Sequence, residues 1–296
     1  MTQHPPETPH TRLNLSAGLA SVGVAILLVI LKLWAYSETQ SLSVAASLAD
    51  SALDFMVSLG ALAAIYYASR PADEDHAFGH TSAEDLAALG QSVFILISGG
   101  VIGWAAIRRL LSDSPVPLMS ERHGMIVMAV SIALTLALVL WQRYVARRTG
   151  SRVVAADSLH YLGDLLPAGG ALLSLWASSR FGLPYIDSVV ALAAAVVLII
   201  GALRIGKGAW DALMDRSANP ALIAGIEAIA QDFPGVHGYH DLRTRQAGST
   251  VFVNLHIELD GEQSLNEAHG ISAGLKHAIR QAYPQCDVII HQDPVR

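Results

Sequence analysis

Between residues 13 and 203 the chain alternates six long apolar runs with short polar breaks. The runs cover roughly 13–36, 42–68, 86–111, 125–145, 153–177 and 185–203, the last continuing a little further. Each holds about 20 or more predominantly apolar residues, the length a helix needs to cross a hydrocarbon core of ~30 Å. Isolated buried core helices are usually shorter. The pattern therefore predicts a membrane α-helical bundle of six transmembrane helices.

The pattern changes after Asp215. Residues 220–233 carry apolar positions at helical spacing. The segments VHGYHDLRTRQAG and STVFVNLHIEL read as two strands joined at Gly248–Ser249, because Val251, Val253, Leu255, Ile257 and Leu259 alternate strictly. Residues 265–283 read as a helix and CDVIIHQ as a last strand. The order α-β-β-α-β predicts a small α+β domain of ferredoxin-like type. The expected division is a polar N-terminal segment over 1–11, a six-helix membrane domain over 12–212, and a cytoplasmic domain over 213–296.

Composition sharpens this division. Charged residues make up 15% of the 296, against about 25% in soluble domains. Up to residue 212 there are 13 basic and 15 acidic side chains, and after it 6 and 10. The formal net charge of −6 gives no general basic footprint for nucleic acid. A single cysteine, Cys286, excludes an intrachain disulfide framework and a multi-cysteine zinc site.

Basic residues suggest orientation. Arg12, Arg70, the group Arg143, Arg147, Arg148 and Arg152, and the pair Arg204 and Lys207 fall on one side if the helices alternate. Arg122, Arg180 and Arg108–Arg109 fall on the other. The balance predicts both termini in the cytoplasm.

Ionisable groups inside membrane helices are rare and usually meet a partner or a water-filled path. Run two contains Asp50 and Asp54, and run five contains Asp157, His160 and Asp164. Asp50/Asp54 and His160/Asp164 are i, i+4 pairs, each one turn apart on a single helix face. Bringing the two faces together would offer three carboxylates and an imidazole to one point. That set suits a four-coordinate divalent cation, zinc above all. Structural hydrogen bonding, or a proton relay without metal, would use the same residue types.

The six runs, ADSALD in the second, HYLGD in the fifth and the α+β tail together resemble the cation diffusion facilitator family over nearly the whole chain. The resemblance is strongest to its bacterial zinc, cadmium and ferrous-iron efflux branch. It implies a homodimeric secondary antiporter in the bacterial inner membrane that exports a divalent cation in exchange for protons. The implied substrate is Zn2+, with Cd2+ or Fe2+ as further candidates, and no organic cofactor. It also implies that Asp50, Asp54, His160 and Asp164 form the transport site. In the family an imidazole in this set goes with zinc and cadmium, whereas all-carboxylate sets go with manganese. Ligand softness points the same way.

Two further histidine groups stand out. The segment after run two reads RPADEDHAFGHTSAED, with Asp73, His76 and His80 at spacings of three and four. These residues suit a metal or a solvated polar loop, and Gly79 makes a turn as compatible as a helix. The resemblance implies a second zinc site at those three positions. Six of the 12 histidines lie in the tail. There the resemblance implies a binuclear structural or regulatory site at His240, His256, His269, His291 and Asp293, close to a dimer contact. His237 and His277 match no ligand position.

One departure is visible. The branch commonly carries a lysine where this chain has Ser82, and that lysine pairs across the dimer with an aspartate at the position of Asp215. The usual interlock cannot form here. The expectation is that tail contacts and packing hold the dimer, or that Arg216 makes a different pair. Against the transporter stand a membrane-anchored zinc sensor without transport, a channel, and a membrane metalloprotease. The last lacks any HExxH motif, so the expected class is not an enzyme.

Overall fold

The computed structural model describes residues 9–39, 42–111, 122–181 and 186–295. The polar segment over 1–11 thus lies mostly outside the described residues. The chain forms two compact units, Met1–Trp210 and Asp211–Arg296.

Six helices build the first unit, the last running three residues past its boundary: α1 (Pro9–Thr39), α2 (Leu42–Ala68), α3 (Ser82–Leu110), α4 (Arg122–Thr149), α5 (Arg152–Phe181) and α6 (Ile186–Leu213). Their buried faces are dominated by small residues, such as Ala17, Ala25, Ala61, Ala88, Ala156, Ala195 and Ala202. Large side chains including Leu33, Trp34, Ile97, Trp104, Leu140 and Ile200 point outward. This inversion of the soluble pattern is expected in lipid, where close backbone packing replaces the hydrophobic effect. Helix α1 packs on α2 and α4, and α5 on α3 and α4. Helices α3 and α6 approach where a Cβ on Gly99 would sit 3.1 Å from Ile199 Cγ1.

Five of the six helices are long and apolar enough to cross a membrane among the described residues. Helix α5 carries Asp157, His160 and Asp164 in its first half.

One end of the bundle is tied by polar side chains. Asn14 Nδ2 donates to Glu84 Oε1 (3.3 Å), Ser151 Oγ donates to Glu84 Oε2 (2.9 Å), and Arg152 reaches Asp85 Oδ1 at 2.6 Å. These bonds gather the starts of α1, α3 and α5 at that end.

The second unit contains α7 (Pro220–Gln231), β1 (Gly238–Ala247), β2 (Thr250–Leu259), α8 (Leu265–Ala282) and β3 (Cys286–Pro294). The sheet order is β1-β2-β3, antiparallel between the first two and parallel between the last two. Helix α7 starts at Pro220 behind the Asn219 cap, and α8 behind a Ser264/Glu267 capping box. Val251, Val253, Leu255, Ile257 and Leu259 all face the core with Ile226, Leu275 and Ile279. Leu275 is fully buried. Leu275→Ala should therefore destabilise this unit by about 2–5 kcal/mol, read as faster hydrogen exchange in peptides from 213–296 of the full chain.

Candidate metal centres

In the membrane unit, α2 and α5 bring Asp54, His160 and Asp164 together, with one potential ligand atom from each within 4.8 Å of the others. His160 Nε2 lies 3.2 Å from Asp54 Oδ1. That approach lacks hydrogen-bond geometry, and the buried Nε2 has no hydrogen-bond partner among the described residues. An unsatisfied buried nitrogen facing a carboxylate suits a divalent ion that would bond to both. The rings of Phe94 and Tyr161 lie 5.7 and 5.5 Å from the His160 ring, so apolar surface limits water on that side.

Asp50 does not join this group. Its side chain is exposed, one helical turn from Asp54. Four residues of helix rise give about 6 Å between the two positions, which only convergent side chains could close. The fourfold set expected from sequence is therefore threefold in this arrangement. Lys32 of α1 lies close to this part of α2, donating through Nζ to Ser51 Oγ at 2.6 Å. Its signal in the sequence is a lone lysine inside the first apolar run.

Asp157 also stays apart from the metal group. It is buried and accepts from Gln142 Nε2 of α4 at 2.6 Å. Alongside it, Ser21 donates to Ser58 (2.9 Å), and Ser58 bonds the Tyr161 hydroxyl (2.8 Å). These bonds join α1, α2 and α5 immediately beside His160, and they fix the helix that carries it.

The polar loop after α2 forms a turn rather than a helix. Gly79 has φ +80 and its amide donates to His76 O at 2.9 Å. A side chain is strained in that backbone region. The turn sets His80 Nε2 3.2 Å from Asp73 Oδ2 and His76 Nδ1 3.1 Å from Asp73 Oδ1. His80 is buried against Tyr67, whereas Asp73 and His76 are exposed. All three residues expected from sequence thus meet. Gly79→Ala should loosen the turn, measured as faster hydrogen exchange in peptides covering 69–82 of the full chain.

In the second unit, strand register explains the histidine cluster. His240 on β1 pairs with His256 on β2, and His256 pairs with His291 on β3. Three residues level across three strands share one face of the sheet. Their rings stand 5.1 and 4.5 Å apart. Asp293, two residues beyond His291, returns to that face. Its Oδ2 lies 3.3 Å from His240 Nε2 and 2.9 Å from His256 Nδ1, and its Oδ1 lies 3.4 Å from His291 Nε2. His269, exposed on α8, joins no candidate cluster among the described residues of the single chain.

Asp241 is an addition that the sequence did not reveal. It groups with His240 and His256, although neighbouring residues on a regular strand point to opposite faces. The register shifts between His240 and Arg243, and Asp241 has φ 49. This bulge turns the extra residue toward its neighbour's side. The HD pair opening HDLRTR was the only signal available in the sequence.

The hydrogen bond from His256 holds the Asp293 carboxyl below the usual carboxylate range, against a smaller opposing effect of desolvation. A depressed folded-state value adds stability above the ordinary carboxylate pKa and loses it as pH falls through the lower folded value. Without metal, Asp293→Asn should flatten acid destabilisation of the second unit in that window. Hydrogen exchange across 213–296 at successive pH values would measure it.

Asp215 has a local partner. Asp215 Oδ1 lies 3.3 Å from Arg245 of β1, and Arg216 pairs with Asp211.

Comparison with known proteins decides the family. The cation efflux transmembrane domain signature matches residues 18–214, and the cation efflux protein cytoplasmic domain signature matches residues 218–295. The chain belongs to the cation efflux family. The Cation-efflux pump FieF of Cronobacter sakazakii is 42% identical over 283 residues, covering 96% of this chain and 93% of its own length. That of Shewanella oneidensis is 44% identical over 280 residues, covering 95% and 94%. A solved structure, the metal-bound C-terminal domain of the CzcD transporter from Thermotoga maritima, is 31% identical with a TM-score of 0.24 and covers 25% of this chain and 87% of its own. The chain is thus a multi-pass membrane protein for divalent metal efflux, and its relatives are transporters rather than enzymes.

Proposed function

We infer that this cation efflux protein exports Zn2+ from the cytoplasm in exchange for protons. The observation that carries this reading is the convergence of Asp54, His160 and Asp164 between α2 and α5, with a buried imidazole nitrogen facing a carboxylate. Two carboxylates and an imidazole favour zinc or cadmium over harder, oxygen-preferring ions. Metal binding needs neutral imidazole and ionised carboxylates, so protons and zinc compete for the same atoms. Competition of that kind is what an antiporter needs. Asp50 would complete the set by turning toward Asp54 in another state of the bundle.

In the proposed cycle, zinc enters from the cytoplasmic side, binds between α2 and α5, and leaves on the far side as protons replace it. The expected setting is a bacterial inner membrane with both termini cytoplasmic. A homodimer would be held through residues 213–296, with the His240, His256, His291 and Asp293 cluster binding regulatory zinc and His269 supplied near the dimer contact. The Asp73, His76 and His80 loop would bind a further ion.

The test uses proteoliposomes loaded with a zinc-sensitive dye and a pH-sensitive dye. Zinc entry should rise with an acidic lumen, and proton exit should accompany it. Zinc flux indifferent to the proton gradient would overturn the exchange mechanism.

A further inference from the structure

The outward face of α4 changes chemistry along its length. Ala133, Leu136, Ala137 and Leu140 are exposed and apolar. Trp141 and Tyr144 follow, stacked with ring centroids 5.6 Å apart. Arg143, Arg147 and Arg148 come last, also exposed. Helical spacing puts Leu140, Arg143, Tyr144, Arg147 and Arg148 on one side, where they border a shallow recess open to the surroundings. The Arg148 guanidinium sits over the Tyr144 ring at 5.5 Å, which holds one cation at the level of the aromatic pair.

That sequence of surfaces is the profile of a phospholipid read from its tails to its headgroup. Acyl chains fit the apolar stretch, amphipathic rings favour the interfacial level, and planar guanidinium groups bind phosphate through paired N–H donors. The charge is complementary as well. Helix α4 contains no acidic residue. The nearby α3 carboxylates are engaged elsewhere, Glu84 by Asn14 and Ser151 and Asp85 by Arg152. A basic cluster alone would be explained by the membrane-orientation preference for arginine and by the carbonyl end of the helix. The continuous apolar, aromatic and basic face, with the Trp141–Tyr144 stack and Arg148 held over Tyr144, goes beyond either.

We propose that this face of α4 binds the phosphate headgroup of an anionic phospholipid in the adjoining leaflet, with Arg143, Arg147 and Arg148 as the contacts. The bound lipid would steady the α4–α5 turn. That turn carries Ser151 and Arg152, which bond the start of α3, and it leads into the helix bearing His160 and Asp164.

Trp141 provides the probe. The full chain, with Trp34, Trp104, Trp176 and Trp210 replaced by phenylalanine, is reconstituted in phosphatidylcholine with a minority of phosphatidylglycerol, one or the other brominated on its acyl chains. Brominated phosphatidylglycerol should quench Trp141 well beyond its share of the lipid. With Arg143, Arg147 and Arg148 all changed to glutamine, the preference should fall roughly 10- to 100-fold, on the basis of about a tenfold loss or less per basic side chain. Arg147→Lys should keep most of it. Native mass spectrometry of the chain with all its tryptophans should show retained phosphatidylglycerol, lost in the triple variant, which keeps the question open to measurement if the tryptophan replacements disturb folding. Equal quenching by the two lipids, or a preference that survives the triple variant, would overturn the proposal. So would displacement of the lipid by inorganic phosphate at fixed ionic strength, which would mark a site for the free anion. Absence of quenching by either lipid would also overturn it, since protein would then cover the face.

Discussion

Replacing Asp54 by alanine should reduce zinc transport in proteoliposomes to the leak of empty vesicles, with metal affinity of the membrane site falling at least ~100-fold. Among the described residues, Asp54 is the α2 carboxylate that the structure groups with both His160 and Asp164. Its loss leaves two ligands on one helix and none opposite. Loss of an outer partner that merely orients a metal ligand already lowers affinity about 10- to 100-fold, and a ligand itself contributes more. The substitution also removes a charge from a lipid-embedded site, which by itself favours insertion and folding. A well-folded, inactive protein is therefore the expected outcome. Retained transport would remove the α2–α5 site from the proposed path. Asp50→Ala gives the useful contrast. If Asp50 joins the set only in another state, its loss should slow transport while leaving more zinc bound than Asp54→Ala does.

The difference between Asp50 and Asp54 shows where sequence reading stops. Periodicity places both on one face of α2 and His160 and Asp164 on one face of α5, and the three that meet were all visible in that pattern. Periodicity gives no axial offset between helices, so it could not tell which turn of α2 lies level with His160. The same limit hid Lys32, whose role depends on how far α1 is shifted against α2. In the second unit, by contrast, strict alternation on β2 gave the buried face directly, and the two-residue step from His291 to Asp293 fixed their common side. What alternation could not give was the register that levels His240, His256 and His291, or the bulge that brings Asp241 to them. Bulges break the rule from which strands are read.

Changing His160 to aspartate should reverse metal preference, cutting zinc and cadmium transport at least ~10-fold relative to manganese. The imidazole is the one nitrogen donor in the group, and its Nε2 faces Asp54 from a buried position. An aspartate there would make the set entirely oxygen, which suits harder ions that tolerate carboxylate and water. It would also place a third carboxylate beside Asp54 and Asp164, and an added charge in the middle of a membrane helix costs about 2.5–3.5 kcal/mol unless it is neutralised. Protons would supply that neutralisation in the metal-free protein, so each bound cation would displace more of them and transport should steepen with pH. Competition between zinc and manganese for uptake, repeated at several pH values, separates this from simple damage: His160→Ala should lose transport of both metals, whereas His160→Asp should lose zinc and keep or gain manganese. An unchanged zinc-over-manganese order in a transporting His160→Asp protein would mean that selectivity is set elsewhere, with the turn of Asp50 toward the site as the next place to look.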